Sequence, residues 1–230
     1  MLRHLRLAAV GLALTQVVAC AGPSSLPTDN QKGPALTIVA GNALSDTISA
    51  TFTSGLVVEV RATDGGAAAG VSVQFNSVGV GGVQMAPAKN PNAPFTAGQA
   101  VLTDASGQAA VRLRFQTTPG PAQVAVTVPL YELSDTASYT ILPGAAAGFT
   151  LQPRDTTIKV GGSFRLRASV VDRVGNVRTE PISFESSAAA ATVSVTGQVT
   201  GVSTGAATLR VSASAGGRVL RDSTSVAVVP

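Results

Sequence analysis

Few side chains in this sequence of 230 residues could carry out nucleophilic or metal chemistry. Cys20 is the only cysteine and His4 the only histidine, and both precede the region that looks folded. One cysteine closes no intramolecular disulfide and supplies no zinc cluster. A Ser-His-Asp triad needs an imidazole, and the scattered carboxylates form no pair of the kind that glycosidases use. We therefore predict a protein that is not an enzyme and uses no cofactor and no metal.

The start of the chain predicts a signal peptide. Arg3 and Arg6 form a positive region, and an uncharged, mostly apolar run follows over residues 7–19. That run has the length of a signal-peptide core. It is shorter than the roughly 20 apolar residues that a bilayer-spanning helix needs. Removal of the two arginines would lower the formal net charge of +4 by two.

The lone cysteine stands directly after this apolar run. The preceding residues, Val17, Val18 and Ala19, resemble the lipobox of bacterial lipoproteins. The resemblance implies that Cys20 is acylated, becomes the first mature residue and holds the protein at a membrane. Ala21 replaces the aspartate that is usual in inner-membrane lipoproteins, which favours the outer membrane. The alternative is an ordinary cleaved signal peptide in which the cysteine has no role.

Changes of pattern divide the chain into five parts. Residues 1–19 are the predicted signal peptide, and residues 20–33, rich in Pro, Ser, Asn and Asp, predict a flexible tether. Residues 34–142, the first segment, show apolar and polar residues in alternation. A short Gly- and Ala-rich linker, 143–148, interrupts this pattern, which resumes over residues 149–230, the second segment.

Period-two alternation in both segments predicts strands with one buried and one wet face. Several short strands separated by turn residues indicate an all-β fold. We predict two tandem immunoglobulin-like antiparallel β-sandwiches, each of about 100 residues. The positions predicted to face a core include Leu56, Val58, Val60, Ala62, Val71, Val73, Phe75, Ala109, Val111, Leu113, Phe115, Ala137, Tyr139, Ile141, Phe164, Leu166, Ala168, Val170, Ala207, Leu209, Val211 and Ala213.

The second segment resembles the bacterial Ig-like domain, group 2. The resemblance rests on Val160 and Gly161 before a strand, on Phe184 where tryptophan is more usual, and on the run ATVSVTGQVTGVSTGAATL at 191–209. It covers nearly all of the segment and implies a non-catalytic Ig-like sandwich.

The first segment resembles the group 1 bacterial Ig-like domain of invasin and intimin stalks. The resemblance rests on TDASGQAAVRLRF at 103–115 and AAAGVSVQF at 67–75. A Gly-, Pro- and Asn-rich stretch at 78–100, here named the insert, departs from the compact family pattern. Group 1 domains serve mainly as stalks, so the resemblance implies a role as a spacer or in adhesion.

The insert is long for a simple connection and has two open interpretations: a contact surface at one end of the sandwich, or disorder. The residues that would make the contact surface are Met85, Lys89, Asn90, Asn92 and Phe95.

Arginines on outward strand positions indicate a basic face in the second segment. Arg165, Arg167 and Arg210 would form it, within nine basic and five acidic residues from Pro143 to Pro230. Such a face could bind an anionic glycan or lipopolysaccharide, or it could only keep the sheet soluble. No aromatic residue accompanies the arginines as base stacking would require, so we predict no nucleic-acid binding.

Asp172 and Asn176 carry oxygen atoms that calcium prefers, but the same DRVGN sequence is typical of a turn. Asp64 and Asp104 are predicted to form turns in the same way.

These observations predict a lipid-anchored cell-envelope protein with an unidentified protein or glycan partner. The alternative is a carbohydrate-binding or enzyme-accessory module. Glycan recognition usually uses exposed aromatic rings, and this chain has no tryptophan and two tyrosines, Tyr131 and Tyr139. Exposure of Tyr131 would favour the alternative.

Overall fold

The computed structural model describes residues 33–230. The predicted signal peptide, Cys20 and the tether up to residue 32 lie outside the described residues, so the predictions about them stay predictions. Among the described residues, no helix is long and apolar enough to cross a membrane.

The first segment folds into two sheets that enclose one core. Its strands within the described residues are β1 (Ala35–Ala40), β2 (Leu44–Thr47), β3 (Thr51–Arg61), β4 (Ser72–Val78), β5 (Val83–Pro87), β6 (Gly98–Leu102), β7 (Gln108–Phe115), β8 (Gly120–Val128) and β9 (Leu133–Leu142). One sheet has the order β1-β3-β7-β5 and the other β2-β9-β8-β4-β6. A 3₁₀ turn at Pro129–Tyr131 joins β8 to β9.

The predicted faces of these strands are confirmed. The predicted inward positions from Leu56 to Ile141 are buried, except Ala62, which is half-buried against the same core. Phe115 lies near the centre, with the rings of Phe52 and Tyr139 edge-on to it at centroid distances of 5.1 and 5.8 Å.

The second segment forms a second sandwich with its own core. Its strands are β10 (Ala146–Gln152), β11 (Thr156–Lys159), β12 (Ser163–Arg165), β13 (Arg167–Asp172), β14 (Ile182–Ser186), β15 (Ala191–Val193), β16 (Gln198–Gly201), β17 (Gly205–Ala215) and β18 (Arg218–Val229). One layer is the sheet β11-β18-β17-β14. The facing layer consists of two small sheets, β10-β13 and β12-β16-β15. They are continuous along the chain, because only Leu166 separates β12 from β13.

The second core is aliphatic. Leu151, Leu166 and Val199 of one layer pack with Leu209 and Val226 of the other. Predicted inward positions Val170, Ala207, Val211 and Ala213 are also buried, whereas Phe164 and Ala168 are half-buried.

Both segments depart from a purely antiparallel arrangement in the same way. β2 runs parallel to β9, and β11 runs parallel to β18. In each case the chain leaves its first antiparallel partner and crosses to the opposite sheet, where it covers the edge of the last strand of the segment. Covering an edge satisfies backbone groups that would otherwise remain unpaired.

Candidate interaction surfaces

The insert is not a disordered connection, because it contains β5 and the start of β6. β5 pairs with β7 in antiparallel register. Met85 on β5 is fully buried in the first core, so its assignment to a contact surface is wrong. The physical reason is alternation: Val83 and Met85 lie two residues apart and face the same side of a pleated strand. That short pattern was available in the sequence but was obscured by the surrounding glycines and prolines.

Lys89, Asn90 and Asn92 are exposed on the loop that follows β5. Lys89 Nζ lies 3.5 Å from Asp104 Oδ2. The side chain of Arg112 donates to the carbonyl oxygen of Asn90 at 2.9 Å. These contacts fix the loop against the sheet and leave the three polar side chains at its surface.

Phe95 is half-buried and lies against the same sheet. The guanidinium groups of Arg112 and Arg114, two residues apart on β7, stand 5.0 and 4.7 Å from the centroid of its ring. Cation–π contacts of this kind hold an aromatic ring against a surface. Phe95 is therefore held against the sandwich by these two arginines, and its role in a contact surface stays a prediction.

Asp104 builds the turn of the TDASGQ sequence. Its Oδ1 accepts hydrogen bonds from the hydroxyl and backbone N–H of Ser106 and from the N–H of Gln108. The hydrogen bond from the Ser106 hydroxyl, and to a lesser extent that from the Gln108 N–H, lower the pKa of Asp104 to about 2. Gly107 follows with φ of +77°, which glycine adopts without strain. Asp64 closes its own turn through one backbone N–H. Both predicted turns are confirmed.

Asp172 is almost fully buried and accepts four hydrogen bonds. Oδ1 accepts from the backbone N–H of Val174 and of Asn176, each at 2.9 Å. Oδ2 accepts from Asn176 Nδ2 at 2.8 Å and from the N–H of Gly144 at 2.9 Å. Burial raises the pKa of Asp172, but these bonds outweigh burial and hold it at about 2. The geometry is that of a turn, and no group of three His, Cys, Asp or Glu gathers within residues 33–230.

The same turn joins the two segments. Asn176 Nδ2 donates to the carbonyl oxygen of Thr117 in the first sandwich at 2.9 Å. Arg178 donates to the linker carbonyl of Gly144 and pairs with Glu180. Sequence reasoning missed this junction, since nothing local to the DRVGN sequence indicates that its side chains reach the linker.

The predicted basic face does not exist as one surface. Arg165 on β12 and Arg167 on β13 are exposed on one layer of the second sandwich, whereas Arg210 is exposed on β17 of the other layer. Outward side chains of two packed sheets point to opposite sides, so the three arginines cannot meet one ligand together. Arg210 pairs in register with Glu185 on β14, which places opposite charges side by side.

A cavity of about 420 Å³ opens between the two layers beside Arg165 and Arg167. Ile182 and Phe184 of β14 line it from the other layer, and Val195 lies at its mouth.

Neither tyrosine offers an exposed ring. Tyr139 is buried in the first core, and burial raises the pKa of its phenol. Its hydroxyl has no hydrogen-bond partner in the described part of the chain. Tyr131 is half-buried against the same core. The condition set for glycan binding, an exposed Tyr131, is not met.

Comparison with solved structures finds proteins of low sequence identity. Protocadherin gammaB7 EC3-6 is 17% identical, with 86% of this chain and 49% of that chain covered and a TM-score of 0.46. Invasin, a bacterial integrin-binding protein, is 18% identical over 85% of this chain and 39% of that chain, with a TM-score of 0.36. The C-terminal intimin fragment in complex with the Tir intimin-binding domain is 18% identical over 82% and 63%, with a TM-score of 0.30. The chain spans about half the length of the protocadherin structure.

No curated protein sequence matches the chain. Residues 145–223 match the family model of the bacterial Ig-like domain, group 2. The match leaves out the first segment, whose resemblance to group 1 domains stays a prediction. The matched residues coincide with the second sandwich in position, so residues 145–223 are similar to the bacterial Ig-like domain, group 2.

Proposed function

We propose that this protein is a lipid-anchored, non-catalytic protein of the bacterial cell envelope, in which two Ig-like sandwiches act as a spacer, adhesion or protein-interaction module. The observation that supports the proposal is the match of residues 145–223 to the group 2 bacterial Ig-like domain, in a chain whose first segment also forms a complete sandwich core.

Hydrogen bonds between the segments support a presenting role. Asp172, Asn176 and Arg178 tie the second sandwich to the linker and to Thr117 of the first. A module whose parts are bonded together holds its loops and edges in a fixed arrangement, which favours recognition by lowering the entropy lost on binding.

The proposed anchor is Cys20. Each buried acyl CH₂ group contributes about 0.8 kcal/mol, so two or three chains on one residue give a stable attachment where one chain is marginal. The tether at 20–33 could extend about 45–50 Å if fully stretched. Ala21 favours the outer membrane as the site of attachment.

Mass spectrometry of the amino-terminal peptide from membrane-extracted protein tests the anchor. We expect a peptide that begins at Cys20 and carries the mass of acyl chains. Cys20→Ala should leave the chain unprocessed or released from the membrane, whereas Ser24→Ala in the tether should behave as wild type. An unmodified thiol, or a mature terminus elsewhere, would contradict the proposal.

A further inference from the structure

Strand β14 has a free backbone edge. It is the last strand in the order β11-β18-β17-β14. Just after β14, the N–H of Ser187 donates to the carbonyl oxygen of Thr208 on β17 at 2.9 Å, so these two residues form a hydrogen-bonded pair of the antiparallel ladder. Antiparallel alternation then turns the N–H and C=O groups of Ile182, Phe184 and Ser186 away from β17. No strand of the described residues pairs with these groups.

The free edge adjoins the cavity between the two layers. Ile182 and Phe184 form one wall, Ala168 forms the other, and Val195 at the mouth is 89% exposed. Residues directly opposite each other in an antiparallel pair place their side chains on the same face. A strand added to β14 would therefore direct the side chain opposite Phe184 into the cavity.

The mouth of the cavity carries positive charge. Arg165 and Arg167 line it, both are exposed, and neither forms an ion pair within residues 33–230. Glu180 also lines it, but its Oε1 accepts hydrogen bonds from Arg178 at 2.8 and 2.5 Å. Arg178 thus neutralises the charge of Glu180, and Arg165 and Arg167 remain available to acidic groups of a partner.

We propose that β14 binds an extended segment of a partner protein by strand addition, with an apolar side chain in the cavity and an acidic side chain two residues to either side. Backbone hydrogen bonds to Ile182, Phe184 and Ser186 supply affinity, and the cavity with its two arginines supplies selectivity. The inference deepens the proposed interaction role and rests on it.

The test uses the full chain, extracted from membranes, and two seven-residue peptides with capped ends. One peptide has valine at the centre, glutamate at positions two and six and threonine elsewhere; the other has lysine in place of glutamate. Fluorescence anisotropy should show binding of the glutamate peptide about tenfold tighter than that of the lysine peptide. Amide exchange at Ile182, Phe184 and Ser186 should slow when the glutamate peptide binds.

Variants at the surface keep the test independent of folding. Val195→Glu at the mouth and the double variant Arg165→Glu with Arg167→Glu should weaken binding about tenfold. Val80→Glu, at a residue that is 82% exposed in the first segment, and Lys159→Glu, at an exposed position on β11 at the other edge of the sheet from β14, serve as matched controls and should bind as wild type.

Three results would overturn strand addition. The first is absence of binding at millimolar peptide with acylated Cys20, which would leave the proposed anchor and module standing. The second is equal loss of binding in Lys159→Glu, which would indicate unspecific attraction. The third is binding of polygalacturonate at Arg165 and Arg167 without exchange protection of β14, which would make the surface a glycan site. An unmodified Cys20 together with specific peptide binding would contradict only the anchor.

Discussion

Asp104 and Asp172 use their carboxylates in the same way, as acceptors for backbone N–H groups that a turn leaves unpaired. Each forms a loop in which main-chain donors converge on one side chain. A charged acceptor binds such donors more strongly than a neutral one. The ionised form of each aspartate is therefore part of the folded structure.

This use of charge predicts a dependence of stability on pH. The pKa of both groups is lowered to about 2, against an ordinary value of about 3.9 in an unfolded chain. A lowered pKa contributes stability above the unfolded value, and this contribution disappears as the pH falls towards 2. We expect the free energy of unfolding to decrease from pH 5 to pH 2. Denaturant titrations of Asp104→Asn with Asp172→Asn should show a weaker decrease, whereas Asp135→Asn should follow wild type.

Substitutions at Met85 and Lys89 test whether β5 completes the first core. Met85→Ala removes a fully buried side chain and should lower the free energy of unfolding by about 2–5 kcal/mol. Lys89→Ala, at an exposed position four residues on, should change it by less than about 0.5 kcal/mol. Chemical denaturation measures both. A small effect of Met85→Ala would mean that β5 does not complete the core.

Substitutions at Tyr139 test how its buried hydroxyl affects the stability of the first core. Its ring packs against Phe115, while its hydroxyl has no hydrogen-bond partner in the described residues. Tyr139→Phe keeps the ring and removes the unpaired polar atom, so we expect unchanged or increased stability, within about 1 kcal/mol. Tyr139→Leu, which also removes the ring contact, should be clearly less stable. A large loss in Tyr139→Phe would show that the hydroxyl is bonded, for example to an internal water.

The loop after β5 is held by its contacts with the sheet. Arg112 bonds to the loop backbone, and the ring of Phe95 meets the guanidinium groups of Arg112 and Arg114. The ring of Phe95 and the Arg112 hydrogen bonds therefore both hold the loop, although most of its side chains are polar.

Removal of that ring should loosen the loop selectively. Phe95→Leu is expected to accelerate amide exchange over residues 88–97 and to lower the free energy of unfolding by only about 1 kcal/mol. Phe95→Tyr preserves the aromatic face and should exchange as wild type. Unchanged exchange in Phe95→Leu would mean that the Arg112 hydrogen bonds hold the loop without the ring.

At the scale of the whole described chain, two cores are joined through one turn. Asn176 connects Asp172 to Thr117, and Arg178 reaches the linker carbonyl of Gly144. Because these bonds cross between the segments, unfolding of one sandwich removes partners from the other. The two sandwiches should therefore unfold together in a single thermal transition.

Asn176→Ala removes the side-chain bonds to Thr117 and to Asp172 Oδ2, and it changes no residue of either core. We expect calorimetry to show a broadened or divided transition, with a calorimetric enthalpy that exceeds the van't Hoff value. Asn92→Ala, at an exposed loop position, should keep the wild-type profile. A single sharp transition in Asn176→Ala would show that the remaining linker contacts suffice for coupling.

The sequence by itself determined the fold class, most of the predicted core positions and the turns at Asp64 and Asp104, and it left Asp172 open between a turn and a calcium ligand. These are local properties, since alternation fixes which face of a strand is apolar and a short carboxylate side chain closes its own turn. The motif at 191–209 likewise lies within residues 145–223, which match the model of the group 2 bacterial Ig-like domain.

Only the tertiary structure decided which distant residues meet. It placed Met85 in the core, separated Arg210 from Arg165 and Arg167, and brought Asn176 to Thr117. The free edge of β14 also follows from the order of strands within a sheet, which is set by pairing between segments far apart in sequence. Local pattern specifies the face of a strand, whereas its neighbours depend on the packing of the whole chain.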